Sequence, residues 1–274
     1  MRKVVCGVLA FLAISAVAQV DKAEVTENPQ TVCWEDSVKI YLERGRWNDK
    51  EVLVKLAECY HKGNGVPQSS LGTIFMYMQV QEKGGMPIQE YLRNYAADDP
   101  VRLLSDAMTD LDRRHFDAAQ VKSEKLKAIN DVNYLAIQSV LAEKRDKDEQ
   151  RSEELLQEGI QKGSEFALLY AVMAAEVERD MTAYEEYLKA LSPKMPMAYN
   201  MLGRYYWNKG QVENSEELTL KAIICFRKAD ERACLTESSA RRWINYYDKN
   251  PDKLTENLGD SATIKRLRSI FKLK

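Results

Sequence analysis

Ala136, Ala167 and Ala198 stand 31 residues apart, and each is followed one helical turn later by a small or apolar side chain, Val140, Ala171 and Leu202. A second series keeps the same step: Ile129, Ile160 and Leu191, preceded by Ala128, Gly159 and Ala190. Two phase-locked helices per period form a unit that cannot bury its apolar face alone and must stack on its neighbours. The expected fold is therefore all-α, an α-α superhelix (solenoid) of helical hairpins. Small residues at the repeated positions are expected to let neighbouring helices approach closely.

The rest of the chain fits that reading. Apolar residues recur at three- and four-residue spacing from about Cys33 onward, and no stretch shows the sustained alternation of a half-buried strand. Turn formers or charges break the pattern at Gly63-Asn64-Gly65, Gly84-Gly85, Asp98-Asp99-Pro100, Asn130-Asp131, Lys144 to Asp148, Gly163, Ser192-Pro193 and Asn250-Pro251. The pieces between are as long as ordinary helices.

The N-terminus has the form of a targeting segment. Arg2 and Lys3 precede an apolar stretch from Val4 to Val17, and Ala16 and Ala18 supply small residues for cleavage before Gln19. The stretch falls short of the ~20 residues that span a bilayer. Residues 1–18 are expected to be a signal peptide, 19–32 a flexible lead and 33–274 the helical repeat domain. The mature chain would be exported, periplasmic or secreted, with no stable membrane span. Cys33, Cys59, Cys225 and Cys234 would then meet an oxidising compartment. A hairpin turning at Ala229-Asp230-Glu231 would place Cys225 and Cys234 on facing helices, the preferred disulfide. The competing reading makes Cys59 and Cys225 small buried hydrophobes.

Residues 52–84 carry a family resemblance. Leu56-Ala57 and Tyr60, then Gly63-Asn64-Gly65-Val66-Pro67-Gln68, then Ile74, Met76-Tyr77 and Gly84 resemble the Sel1-like repeat pattern, a branch of the tetratricopeptide class. Gly63 and Gly65 would supply unusual backbone angles between the helices, and Tyr60, Ile74 and Tyr77 would fill the hairpin. Ala57, Gly72 and Thr73 depart from the pattern, which implies looser packing there. A second, partial match runs through Ala198, Leu202-Gly203, Tyr206, Gly210, Lys221-Ala222, Phe226 and Ala229. The resemblance implies Sel1-like units near 49–85 and 197–230, degenerate repeats between them and capping helices at the C-terminal end. Proteins with such repeats commonly act as adaptors in assemblies.

Material for chemistry is sparse. His61 and His115 are the only histidines, each read as a surface residue, and no nucleophile elbow, phosphate-binding loop or metal motif is present. No cofactor or metal is expected. Lys plus Arg number 40 against 42 for Asp plus Glu, so no basic excess exists to neutralise a nucleic-acid backbone. The run from Glu143 to Glu154 reads as a solvated helix end. Thr263 to Lys274 places Ile264, Leu267 and Phe271 on one stripe, expected to cap the array rather than to bind a membrane.

The functional expectation is a non-enzymatic scaffold or adaptor that binds a protein or peptide segment. Its competitors are an enzyme or sugar-binding protein on a helical array, and an envelope structural protein. In a hairpin array the first helices line the concave face, so helices beginning near Tyr134, Glu165 and Met197 should form an inner wall with Gln138, Tyr170 and Asn200 facing a bound segment. Three consecutive aromatics cannot share one side of a helix. At least one of Tyr205, Tyr206 and Trp207 should therefore be laterally exposed or lie against a neighbouring unit, and a ligand groove is expected there first, at Tyr205 and Trp207, whereas Trp243 with Tyr246 or Tyr247 reads as core.

Overall fold

The computed structural model describes Glu43, residues 49–251 and residues 261–273. The expected signal peptide, its cleavage site at Ala18 and Gln19, the flexible lead and Cys33 lie outside the described residues. Thirteen α-helices and no strand are found among them: α1 (Lys50–Lys62), α2 (Ser70–Glu82), α3 (Ile88–Leu92), α4 (Pro100–Asp112), α5 (Phe116–Ala128), α6 (Tyr134–Leu141), α7 (Glu149–Gln161), α8 (Glu165–Glu178), α9 (Met181–Leu191), α10 (Ala198–Glu213), α11 (Glu216–Glu231), α12 (Glu237–Lys249) and α13 (Ser261–Phe271). A π-helical turn, Ala142–Asp146, extends α6.

Helix starts follow from one local chemistry. Asp49, Asp99, Asp148 and Asp180, and the hydroxyls of Ser69, Ser164, Ser215 and Thr236, each accept a hydrogen bond from a first-turn backbone N–H. Helix ends are less uniform. α1 stops at Gly63 in the left-handed region, where glycine carries no Cβ penalty, but α8 and α10 stop at Arg179 and Asn214, also left-handed.

The helices pack as hairpins in chain order: α1 with α2, α4 with α5, α6 with α7, α8 with α9, α10 with α11 and α12 with α13. Each second helix also touches the first helix of the next hairpin from α5 onward, which makes the stack an all-α superhelix. Ala136, Ala167 and Ala198 are all fully buried in it, as the repeat requires. The companion positions are less uniform. Gly159 is buried, with an ideal Cβ only 2.9 Å from the Ala167 Cβ, whereas Ala128 and Ala190 are exposed. Close approach at that position is thus confined to α7. α10 and α11 also approach closely, since a Cβ on Gly203 would lie 2.5 Å from Phe226 Cε1.

The superhelix curls far enough for distant turns to meet. α2 packs against α8 as well as α4, and α1 reaches the loop after α11 and the start of α10: Cys234 and Arg232 of the loop and Tyr199 of α10 all lie close enough to bear electrostatically on the Tyr60 hydroxyl. A helix apolar on every side must be covered on every side. α8 is the instance here, buried from Glu165 through Met173. The first hairpin is tightly filled, with Ala57, Gly72 and Thr73 all buried, so the looser packing expected from those departures is not found. At the other end, Ile264 and Leu267 of α13 are buried, Arg266 pairs with Asp230 of α11 at 2.5 Å, and Arg268 pairs with Asp248 of α12. The basic terminal helix is docked as a cap.

Candidate functional site

The helices α6, α8 and α10 begin where the repeat places them, and each N-terminal end is tied by a side chain to the start of another helix. The Asn133 carboxamide oxygen accepts from Ser164 Oγ at 2.9 Å and from the Phe166 backbone N–H at 3.1 Å. One hairpin further, Glu165 Oε2 accepts from Ser69 Oγ and the Leu71 N–H, both at 3.0 Å, across more than ninety residues of chain. Asn200 repeats the device on α12, its oxygen accepting from the Thr236 N–H at 3.1 Å while its Nδ2 donates to the Cys234 carbonyl at 2.8 Å. In each case a side-chain oxygen takes the capping residue of another helix, and for α8 and α2 it also satisfies an N–H that no intrahelical acceptor can reach. A signal for this existed, since Asn133 and Ser164 are one period apart.

These clasps decide which expected contact residues remain available. Asn200 is buried and committed to the clasp. Tyr170 is buried as well, its hydroxyl donating to Glu143 in the π turn, and both burial and the Glu143 carboxylate push that hydroxyl's pKa up. Tyr170 is thus tied to the π turn, and Asn200 to the start of α12. Gln138 is half-buried, donates to Ser123 Oγ at 2.9 Å and borders a cavity of about 300 Å³ with Tyr134, Arg151 and Glu158. Of the three expected contact residues, Tyr170 and Asn200 are thus buried and Gln138 is half-buried.

A partly exposed face lies further along. On α10, Met201, Arg204, Asn208 and Gln211 follow one helical stripe and retain solvent contact, and α12, which packs directly on α10, presents Ser238, Arg242 and Asn245 in the same way. The field across this face is uneven. Burial, with the nearby Arg204 charge, lowers the Arg242 pKa, and Arg242 spends one guanidinium nitrogen on the Ser238 carbonyl at 3.0 Å. Glu176, on α8, lies within the field of Arg204, yet burial raises its carboxyl and its Oε2 has no hydrogen-bond partner.

The aromatic triplet resolves as helical geometry demands. Tyr205 is buried with its ring tilted against Tyr184, and Tyr206 is buried with its hydroxyl donating to Glu185 at 2.8 Å, so both serve the packing of α10 on α9. Trp207 is the laterally placed member. It rests against Phe226 and borders a cavity of about 480 Å³ between the end of α10, the start of α11 and the end of α12. Trp243 and Tyr246 are core.

Two further expectations need correction. α11 runs unbroken through Ala229-Asp230-Glu231, so Cys225 and Cys234 do not sit on facing helices; Cys234 follows the helix as a buried free thiol that donates to the Ala229 carbonyl at 3.2 Å. Burial pushes that thiol up to about 12. His61 is no simple surface residue. It stacks on Tyr95 at 4.3 Å and meets Asp99 at 2.7 Å, tying α1 to the cap of α4. His115, mostly exposed, lies 3.8 Å from Asp110.

Among the described residues no group of three or more His, Cys, Asp or Glu side chains is arranged to hold a metal ion, and no helix is long and apolar enough to cross a membrane. Comparison with protein-family models, with curated proteins and with solved structures finds no match.

Proposed function

We propose that this chain is an exported, non-enzymatic adaptor, built of Sel1-like hairpins, that holds an extended protein segment against the partly exposed face of α10 and α12. The observation that carries the reading is the contrast along the inner helices. α8 is buried on nearly every side, whereas the stripe through Met201, Arg204 and Asn208 and its neighbour through Ser238 and Arg242 stay accessible on a rigid, capped support. A shallow face of mixed apolar, amide and cationic side chains suits a chain segment better than a reaction, which needs groups converging in a cleft. The histidines give no such convergence, being engaged near Asp99 and Asp110 at separate helix ends.

The test is site-specific photo-crosslinking in the native envelope. Photoreactive residues at Asn208 and Ser238 are expected to capture the same protein, and one at Val121, exposed on α5, is expected to capture none. Equal capture from all three positions, or none from Asn208 and Ser238, overturns the reading. Export itself is checked on the same material, where the N-terminal residue should be Gln19.

A further inference from the structure

The cavity beside Trp207 lies where the two stripes end, at Gln211 and Asn245. Its volume, about 480 Å³, lies within the roughly 300–1,000 Å³ of small-molecule sites. Its lining is mostly polar, and the polar groups are neutral amides in unusual number: Gln211, Asn214, Asn245 and Asn250, contributed by α10, its C-terminal cap, α12 and the residue that follows. Gln211, Asn214 and Asn245 are exposed. Trp207 is half-buried, held against Phe226 with ring centroids 6.5 Å apart, and so offers an aromatic surface that is fixed on one side and accessible on the other. Gly210 forms part of the wall, and an ideal Cβ there would meet Thr219 Oγ1 at 2.9 Å, so the two helices keep the cavity's rear wall closely packed.

From this set we infer that the cavity is a binding site for an uncharged saccharide, one or two rings of a glycan. A carboxamide carries a donor and an acceptor in one plane, which matches the paired donor and acceptor character of adjacent hydroxyls. The apolar C–H face of a sugar ring stacks on an indole, whose large, rigid surface binds at low entropic cost. A phosphate or carboxylate ligand would call for a cluster of cations, and Lys249 is the cation lining this cavity, with Glu216 also present. An apolar side chain would leave the amides unpaired, at a cost in desolvation. The inference goes beyond the adaptor reading; the cavity shares Gln211 and Asn245 with the ends of the two stripes, whereas the crosslinks probe Asn208 and Ser238, which do not line it.

The test is isothermal titration of the mature chain with maltotriose, cellotriose and chitotriose, each up to millimolar concentration, beside a heparin fragment as a charged control. At least one neutral trisaccharide is expected to bind. Asn245→Ala and Gln211→Ala, both at exposed positions, should each weaken it by about five- to tenfold without shifting the melting curve. Trp207→Ala should abolish detectable binding, and Trp207→Phe should keep part of it. Failure of all three neutral sugars, preference for heparin, or binding that is indifferent to Asn245→Ala and Gln211→Ala overturns the inference. Because Asn208 and Ser238 report on the segment-binding face, their crosslinks stand or fall separately.

Discussion

Replacing Glu165 with alanine tests whether the curl of the superhelix rests on the clasp between α8 and α2. Glu165 Oε2 accepts two hydrogen bonds of 3.0 Å, from Ser69 Oγ and the Leu71 N–H, in a site where the residue retains 8% of its accessible surface. Truncation leaves both donors buried without that acceptor, at about 1–3 kcal/mol for each group. Part of the loss is offset because the parent holds a carboxylate in a nearly dry site, and its desolvation opposes folding. The net loss expected is about 2–4 kcal/mol. At roughly 2–4 °C per kcal/mol for a domain of this size, the melting midpoint should fall by about 5–15 °C. Hydrogen exchange should rise first in α1 and α2, because the clasp is what ties their hairpin to α8.

Glu165→Gln separates charge from hydrogen bonding. It keeps an acceptor and should lose less than Glu165→Ala. Burial raises the Glu165 carboxyl above its ordinary value, although the Leu71 and Ser69 hydrogen bonds work against the shift. A folded pKa above the unfolded one makes the group's contribution complete below the unfolded value and lost as pH rises through the folded value. The stability of the parent minus that of Glu165→Gln, followed calorimetrically from acid towards neutral pH, should therefore decline across that window. A difference that grows with pH, or a Glu165→Ala variant melting within about 1 °C of the parent, would refute the reasoning.

Other perturbations probe the remaining contacts. Asn200→Ala removes the acceptor for the Thr236 N–H and the donor to the Cys234 carbonyl, and urea denaturation should show a loss of about 2–3 kcal/mol, against less than about 1 kcal/mol for the half-buried Gln138→Ala. Gly203→Ala drives a Cβ to 2.5 Å from the Phe226 ring and should destabilise by about 1–3 kcal/mol, partly relieved in the double variant with Phe226→Leu. The Cys234 thiol, with its pKa pushed up to about 12, should resist alkylation at pH 8 until the chain is unfolded. Non-reducing peptide maps should show no Cys225–Cys234 link, and recovery of that link would contradict the observed path of α11.

The recurrence of Ala136, Ala167 and Ala198 determined the architecture without any coordinates, because a side chain that must be small in every unit records the helix that packs over it. Local punctuation was legible because it acts within one turn of chain, as at Gly63, Asp99-Pro100 and Gly163. The turns at Arg179 and Asn214 were not, since they place side-chain-bearing residues in a conformation normally marked by glycine. The misplaced turn near Ala229 belongs with them, as α11 continues to Glu231 and the left-handed residue is Ala233. What only the tertiary structure decided is which inner faces stay open. Period and amphipathicity give the order of the helices, but the pitch of the superhelix depends on contacts between residues such as Ser69 and Glu165, almost a hundred positions apart. That pitch buries Tyr170 and Asn200, leaves Trp207 at the side of a cavity, and cannot be read from spacing because each partner looks, in its own segment, like an ordinary residue at the start of a helix.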